Sequence, residues 1–232
     1  MDSYEIIDYI ANAEKKTPVK VYIQRMQNEL DFEGMEYYGN SDFGVLFCEL
    51  GQWNKWYENN RDYIWKYRIE MDRRNSAIPL ANLEKYNARI EPGVYIREMV
   101  EIGDGAVVMM GAVLNIGCAI GEKTMVDMNV VVGGRAKVGN NCHLGAGCVV
   151  AGVIEPPSAD PVIIEDNVLV GANAVITEGV RVGQNSVIAA GAVVISDVDP
   201  FTVVAGMPAR KIKDVDTKTK NKTQIIEALR KL

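Results

Sequence analysis

From Ile90 to Asp199 the chain places an aliphatic residue in every sixth position. The slot is filled by Ile90, Ile96, Ile102, Val108, Leu114, Ile120, Val126, Val132, Val138, Leu144 and Val150, then after one interruption by Ile164, Val170, Ile176, Val182, Ile188 and Val194. Four residues after a lead position stands a small or β-branched residue, as at Ala106, Ala112, Cys118, Thr124, Ala136, Cys142, Cys148, Ala174, Ser186 and Ala192. Glycine often follows the lead directly, as at Gly103, Gly121, Gly133, Gly145 and Gly171. A period of six fits neither a lone helix nor an ordinary strand. It predicts a parallel β-helix in which each hexapeptide is a short strand plus a corner. Side chains alternate along a strand, so the lead residue points inward and its neighbours outward.

The flanking segments follow other patterns. Ser3 to about Lys15 predicts a helix with an apolar stripe of Ile6, Ile7 and Ile10. Val19 to Ile23 alternates like a strand, and Val45 to Leu50 predicts another, ended by Gly51. Gln52 to Arg74 reads as helical, broken near Asn59 and Asn60, with Trp53, Trp56, Tyr57, Tyr63, Trp65 and Tyr67 expected in a core or subunit contact. Asp216 to Lys222 reads as a polar linker, and 223–232 as a short amphipathic helix with Ile225, Leu229 and Leu232 on one face. The expected fold is mainly β, with a small N-terminal α/β domain over 1–80, a β-helix over 81–212 and a linker plus helix over 213–232.

Composition supports that division. All the aromatic residues but Phe201 lie at or before Tyr95, and most of the 21 glycines lie after Ile90. The net charge of −6 argues against a nucleic-acid surface. No apolar run approaches a membrane span and no N-terminal leader is visible, so a soluble, cytoplasmic protein without a membrane partner is expected. Cys118, Cys142 and Cys148 occupy inward slots and no two are 18 residues apart, so they are expected as buried space-fillers rather than a metal or disulfide set.

A filled prism leaves its chemistry to the outer faces. Asp127 and the single histidine, His143, flank leads 18 residues apart, which stack in neighbouring coils. Their α-carbons are expected roughly 8 Å apart on one outward surface, suited to acid–base work or simply solvated. One histidine cannot supply a three-histidine zinc site, and no metal is expected. The repeat is interrupted once, between Val150 and Ile164, by the proline-rich loop 155–163 that begins at Glu155. An ejected loop in a regular coil reads as functional, a tolerated insertion being the alternative. Arg73 and Arg74 precede Pro79 and read first as a solvated segment, second as an anion contact.

The repeat, followed by Gly206-Met207-Pro208-Ala209-Arg210, resembles the hexapeptide-repeat acyltransferases that use coenzyme A. More closely, Asp72-Arg73-Arg74-Asn75-Ser76-Ala77-Ile78-Pro79, Met125-Val126-Asp127-Met128-Asn129, Gly133-Gly134-Arg135-Ala136 and Gly152-Val153-Ile154-Glu155-Pro156-Pro157-Ser158 resemble the tetrahydrodipicolinate N-acetyltransferases over essentially the whole chain. The resemblance implies a left-handed β-helix, a homotrimer with sites between subunits, and acetyl transfer from acetyl-CoA to an open-chain amine in the diaminopimelate route to lysine. It implies Asp127 as base or orienter, with His143 second and Glu155 a weaker substitute, because a glutamate associated with the related succinyltransferases aligns with Val175. It raises Arg135, Arg73 and Arg74 as carboxylate contacts, and assigns Gly171, Ala189, Gly191, Ala205, Gly206, Pro208, Ala209, Arg210 and Lys211 to coenzyme A. Two other readings stand beside it: a relative with another donor or acceptor, such as a succinyltransferase, and a non-catalytic β-helix scaffold.

Overall fold

The computed structural model describes residues 2–26, 30–157, 160–224 and 226–231, with the side chains of Lys222 and Glu227 outside that description. The hexapeptides form two-residue strands that stack in register with the strand one coil on, as where Met125 and Val126 pair with His143 and Leu144. Three parallel faces result. The first runs through Arg89–Ile90, Val107–Val108, Met125–Val126, His143–Leu144, Leu169–Val170 and Val187–Ile188; the second through Tyr95–Ile96, Val113–Leu114, Val131–Val132, Val149–Val150, Val175–Ile176 and Val193–Val194; the third through Glu101–Ile102, Ala119–Ile120, Lys137–Val138, Ile163–Ile164 and Arg181–Val182. From Ile96 onward the lead residues are buried, apart from Ile102, and the small slots fill the space between them. Cys118, Cys142 and Cys148 are free and fully buried within this core.

Two local devices turn the corners. Three residues after the lead the backbone enters the left-handed region, at Gly93, Gly105, Gly111, Asn129, Asn141, Asn167, Asn173 and Asn185 among others. Glycine and asparagine adopt that conformation most readily. Directly after the lead, close stacking sets the residue: a Cβ on Gly171 would stand 2.4 Å from the backbone nitrogen of Ala190 in the next coil. Leu144 is fully buried between two coils, so Leu144→Ala is expected to cost about 2–5 kcal/mol in a denaturant melt, as large-to-small changes in close-packed cores do.

The helix Ser3–Asn12 is shorter than expected, and Met1–Ala11 groups with Pro79–Leu232 as one compact unit. The expected division at residue 80 sets that helix with the small domain instead. Its Ser3 and Ile6 are buried, and Ser3 Oγ donates to the Val153 carbonyl across 3.3 Å.

The second unit, Asn12–Ile78, is a four-stranded antiparallel sheet in the order Glu36–Gly39, Phe43–Glu49, Pro18–Arg25, Ile64–Glu70, with the helix Leu50–Asn60. Trp53 and Trp56 are buried in its core, whereas Trp65 is 66% exposed. The expected helical run from Gln52 to Arg74 is corrected here: the helix ends at Asn60, one turn follows, and Ile64–Glu70 is a strand paired with Pro18–Arg25. The reason is tertiary. Pairing satisfies that backbone, and the segment alternates Tyr67 and Ile69 toward the helix side with Lys66, Arg68 and Glu70 outward. Gly51 likewise lies inside the helix rather than ending a strand.

The C-terminal expectation is also redrawn. Thr217–Lys222 is a helix, capped by Asp216 Oδ1, which accepts from Thr219 N at 2.7 Å and Thr219 Oγ1 at 2.6 Å. The Thr219 bonds, with Lys213 beside them, hold the Asp216 carboxyl below the usual carboxylate range. The amphipathic helix expected over 223–232 is a single turn, Glu227–Arg230; Leu229 is 56% exposed, and Ile225 and Leu232 lie outside the described residues. Among the described residues no helix is long and apolar enough to cross a membrane.

Candidate active site

His143 projects outward from the first face between Met125 and Leu169 of the adjoining coils. Asp127 follows its lead by one residue and stands at the corner between the first and second faces. Their side chains meet at 3.9 Å, His143 Nε2 to Asp127 Oδ2, an ion-pair distance beyond hydrogen-bond reach. Both are partly covered, at 29% and 22% side-chain exposure. Asp127 Oδ1 accepts from the Met128 N–H at 2.8 Å, which fixes the carboxylate at the corner. Burial pushes the His143 pKa below the ordinary 6.5; Asp127 opposes that shift and the Arg230 guanidinium adds to it. The imidazole is therefore neutral near pH 7, with a carboxylate placed to stabilise its protonated form.

A smooth track leads away from Asp127. The same corner position in successive coils holds Gly145, Gly171, Ala189 and Ala205. The ladder bonds Asp127 N to Leu144 O (2.9 Å), Gly145 N to Val170 O (2.7 Å), Gly171 N to Ile188 O (2.8 Å) and Ala189 N to Val204 O (2.9 Å) set that register. Three coil steps carry the track about 14 Å from Asp127 to Ala189. Close stacking excludes side chains at Gly145 and Gly171, so a smooth surface is a by-product of the coil's own packing. Gly191 occupies the left-handed position of the same corner, two residues after Ala189. Gly206 and Ala209 pair across the turn of a terminal hairpin, with Met207 and Pro208 at its tip. Arg210 is exposed, while Lys211 is held by Asp214 at 2.7 Å.

The structure does not gather all the expected site residues. Arg135 lies on the far edge of the second face, in the left-handed region, with Nη1 donating to the Val153 carbonyl at 3.0 Å and to Ser3 Oγ. It ties the N-terminal helix to the start of the loop, and that tether explains a bulky residue in a conformation that disfavours one. Glu155 is exposed on the same far corner. Ser158 and Ala159, in the interrupting loop, lie outside the described residues. Arg73 and Arg74 belong to the unit Asn12–Ile78, where Arg73 is 3.3 Å from Asp72. Among the described residues no group of three or more His, Cys, Asp or Glu is arranged to hold a metal ion.

The C-terminal segment is the part that sequence reasoning missed. It returns over the first face: Arg230 Nε donates to the Lys123 carbonyl at 2.8 Å, and Arg89 Nη1 reaches the Lys231 carbonyl at 3.4 Å. Lys220 and Thr223 line a cavity of about 330 Å³ together with His143, Asn167 and Asn185. No periodic signal marks this return, because it rests on single polar contacts.

Comparison with known proteins gives the following. Residues 1–83 match the family model described as Tetrahydrodipicolinate succinyltransferase N-terminal, and 117–152 and 161–196 match hexapeptide-repeat models. A 2,3,4,5-tetrahydropyridine-2,6-dicarboxylate N-acetyltransferase of Thermosipho africanus is 66% identical over all of this chain and all of that protein. Proteins of the same name from Thermotoga maritima and Bacillus subtilis are 60% and 58% identical, over 100% of this chain and 98% and 99% of theirs. Among solved structures, perosamine N-acetyltransferase from Caulobacter crescentus, in complex with CoA and GDP-perosamine, is 26% identical over 55% of this chain and 58% of that one, with a TM-score of 0.49.

Proposed function

The chain belongs to the 2,3,4,5-tetrahydropyridine-2,6-dicarboxylate N-acetyltransferase family, and on that footing we propose that His143 and Asp127 form its catalytic pair. The chain is an acyltransferase that uses acetyl-CoA as co-substrate, in the acetylase branch of lysine biosynthesis. Water opens the cyclic imine of the acceptor to a primary amine and a ketone. The amine nitrogen attacks the thioester carbonyl carbon, the N–C bond forms, the C–S bond breaks, and coenzyme A leaves as a thiolate. His143 takes the proton from the nitrogen and returns it to the sulfur, giving L-2-acetamido-6-oxopimelate and free coenzyme A. Asp127 orients the imidazole and stabilises its charged form. The observation that carries this reading is the partly buried, neutral histidine 3.9 Å from a fixed carboxylate at the head of the smooth track. Along that track Gly171, Ala189 and Ala205 take the pantetheine arm. Gly191, Gly206, Pro208 and Ala209 continue the pocket, and Arg210 and Lys211 meet the phosphates.

The working unit of this reading is a homotrimer, acting in the cytoplasm. The outward residues of the second face are Tyr95, Val113, Val131, Val149, Val175 and Val193, an unbroken apolar ladder whose first three members are 59%, 37% and 39% exposed. The third face carries Glu101, Lys137 and Arg181 outward, and the C-terminal segment returns over the first. The second face is thus the one suited to a copy of itself. A cyclic arrangement about it sets the Asp127 corner of one copy against the far corner of the next, so loop 155–163 with Glu155 closes a neighbour's site. Arg135 acts there through the loop it anchors, and Arg73 and Arg74 remain candidate contacts for the acceptor's carboxylates.

The succinyl wording of the partial family model and the acetyl wording of the full-length relatives make the donor the point to measure. Thiol release is expected with acetyl-CoA only when the acceptor is present, with succinyl-CoA at least tenfold slower. A preference for succinyl-CoA would assign the sister reaction, and no release with either donor would overturn the catalytic reading.

A further inference from the structure

The C-terminal segment offers the first face two cations that the catalytic pair does not use. Arg230 is 8% exposed. Its Nε is spent on the Lys123 carbonyl, and Nη1 reaches the Ile226 carbonyl at 3.3 Å. Nη2 is buried with no hydrogen-bond partner in the described structure. A buried, unsatisfied guanidinium N–H is unfavourable by itself and suits an incoming anion. Among the described residues, those lining the cavity of His143, Asn167, Asn185, Lys220 and Thr223 include no carboxylate, in a chain of net charge −6. Lys220 is exposed and stands over it.

We propose that the C-terminal segment is the anion-recognition wall of the acceptor site, with Arg230 and Lys220 holding the carboxylate next to the reacting amine. The inference rests on the acetyltransferase reading above and supplies residues for it. In the opened acceptor the amine and one carboxylate share a carbon. A carboxylate drawn to the cavity that His143 lines therefore carries the amine to the imidazole. The free Nη2 of Arg230 can make a charge-assisted hydrogen bond to this carboxylate, and lysine adds a flexible point charge at the open side. Among the described residues, the charged groups near His143 are Asp127 on its own face and Arg230 and Lys220 on the segment. Filling the site with an anion offsets the cations and makes the imidazole easier to protonate.

The test uses the full-length chain and has two arms. In the kinetic arm, Arg230→Gln is expected to raise the acceptor KM about 10- to 100-fold with the KM for acetyl-CoA unchanged. Arg230→Lys should recover part of the loss. Lys220→Ala, at an exposed position, should raise the acceptor KM severalfold. An acceptor KM within twofold of the wild type in both Lys220→Ala and a folded Arg230 variant would overturn the inference. In the binding arm, the single histidine gives one set of imidazole NMR signals. Pimelate is expected to shift them and raise the His143 pKa in the wild type, and to lose both effects in Arg230→Gln or Lys220→Ala. Heptane-1,7-diamine, of the same length without carboxylates, should do neither. Equal responses to pimelate in wild type and variants would also overturn it. A wild type that binds pimelate this way but releases no thiol from acetyl-CoA would sink the reaction and leave the carboxylate site standing.

Discussion

Replacing His143 by alanine is expected to lower kcat by about 10²- to 10⁴-fold, the usual worth of a positioned general base. Acetyl-CoA binding and the fold should be unchanged, because the side chain lies on the outer surface of the coil and its neighbours Met125 and Leu169 hold the register without it. The pH profile gives a sharper reading. A base works when unprotonated, so kcat/KM should rise with pH through the histidine pKa and level off above it. Burial lowers that pKa, so the midpoint should fall below 6.5 and activity should persist into mildly acidic solution. In Asp127→Asn the carboxylate that favours the protonated form is gone. The midpoint should move lower still, and kcat should fall because the imidazolium is no longer stabilised. An alanine variant with full kcat, or a profile unaltered in Asp127→Asn, would reject the pair as the catalytic centre.

Val131→Glu should have an effect of similar size by a different route. Val131 lies in the middle of the apolar ladder and is 39% exposed, so a carboxylate there is solvated in the isolated chain and does not disturb the core. In an assembly built on that face the same charge would be buried without a partner, which costs several kcal/mol per interface. The wild type is expected to sediment as three chains and the variant as one. Thiol release should fall more than a hundredfold at enzyme concentrations where the circular dichroism spectrum is unchanged, because loop 155–163 of the neighbour is lost from the Asp127 corner. A wild type that sediments as a single chain, or a monomeric variant with full activity, would remove the proposed trimer from the mechanism.

Much of this was legible before any coordinates. The aliphatic slot from Ile90 to Val194 defines the β-helix, and Asp127 and His143 follow as outward neighbours one coil apart. The left-handed corners were legible too, since glycine or asparagine recurs three residues after the lead, although the glycine directly after the lead is the more conspicuous signal. The strand Ile64–Glu70 was hidden, because its aromatic and charged residues fit a helix as well as an alternating strand until the partner Pro18–Arg25 is known. Arg135 shows what the sequence hid: its motif made it a candidate carboxylate contact, and the structure shows its guanidinium bonded to Ser3 and Val153.

The sequence by itself determined the repeat, its faces and the outward order of residues on them, because in a solenoid each coil contacts mainly the next and one period propagates through the whole array. Only the tertiary structure decided what covers each face. Packing Ser3 and Ile6 against the prism, and returning Lys220 and Arg230 to the face of His143, depend on contacts between residues more than 70 positions apart. Such contacts leave no period in the chain. Each is settled by which backbone carbonyl and which surface are free once the coils have stacked.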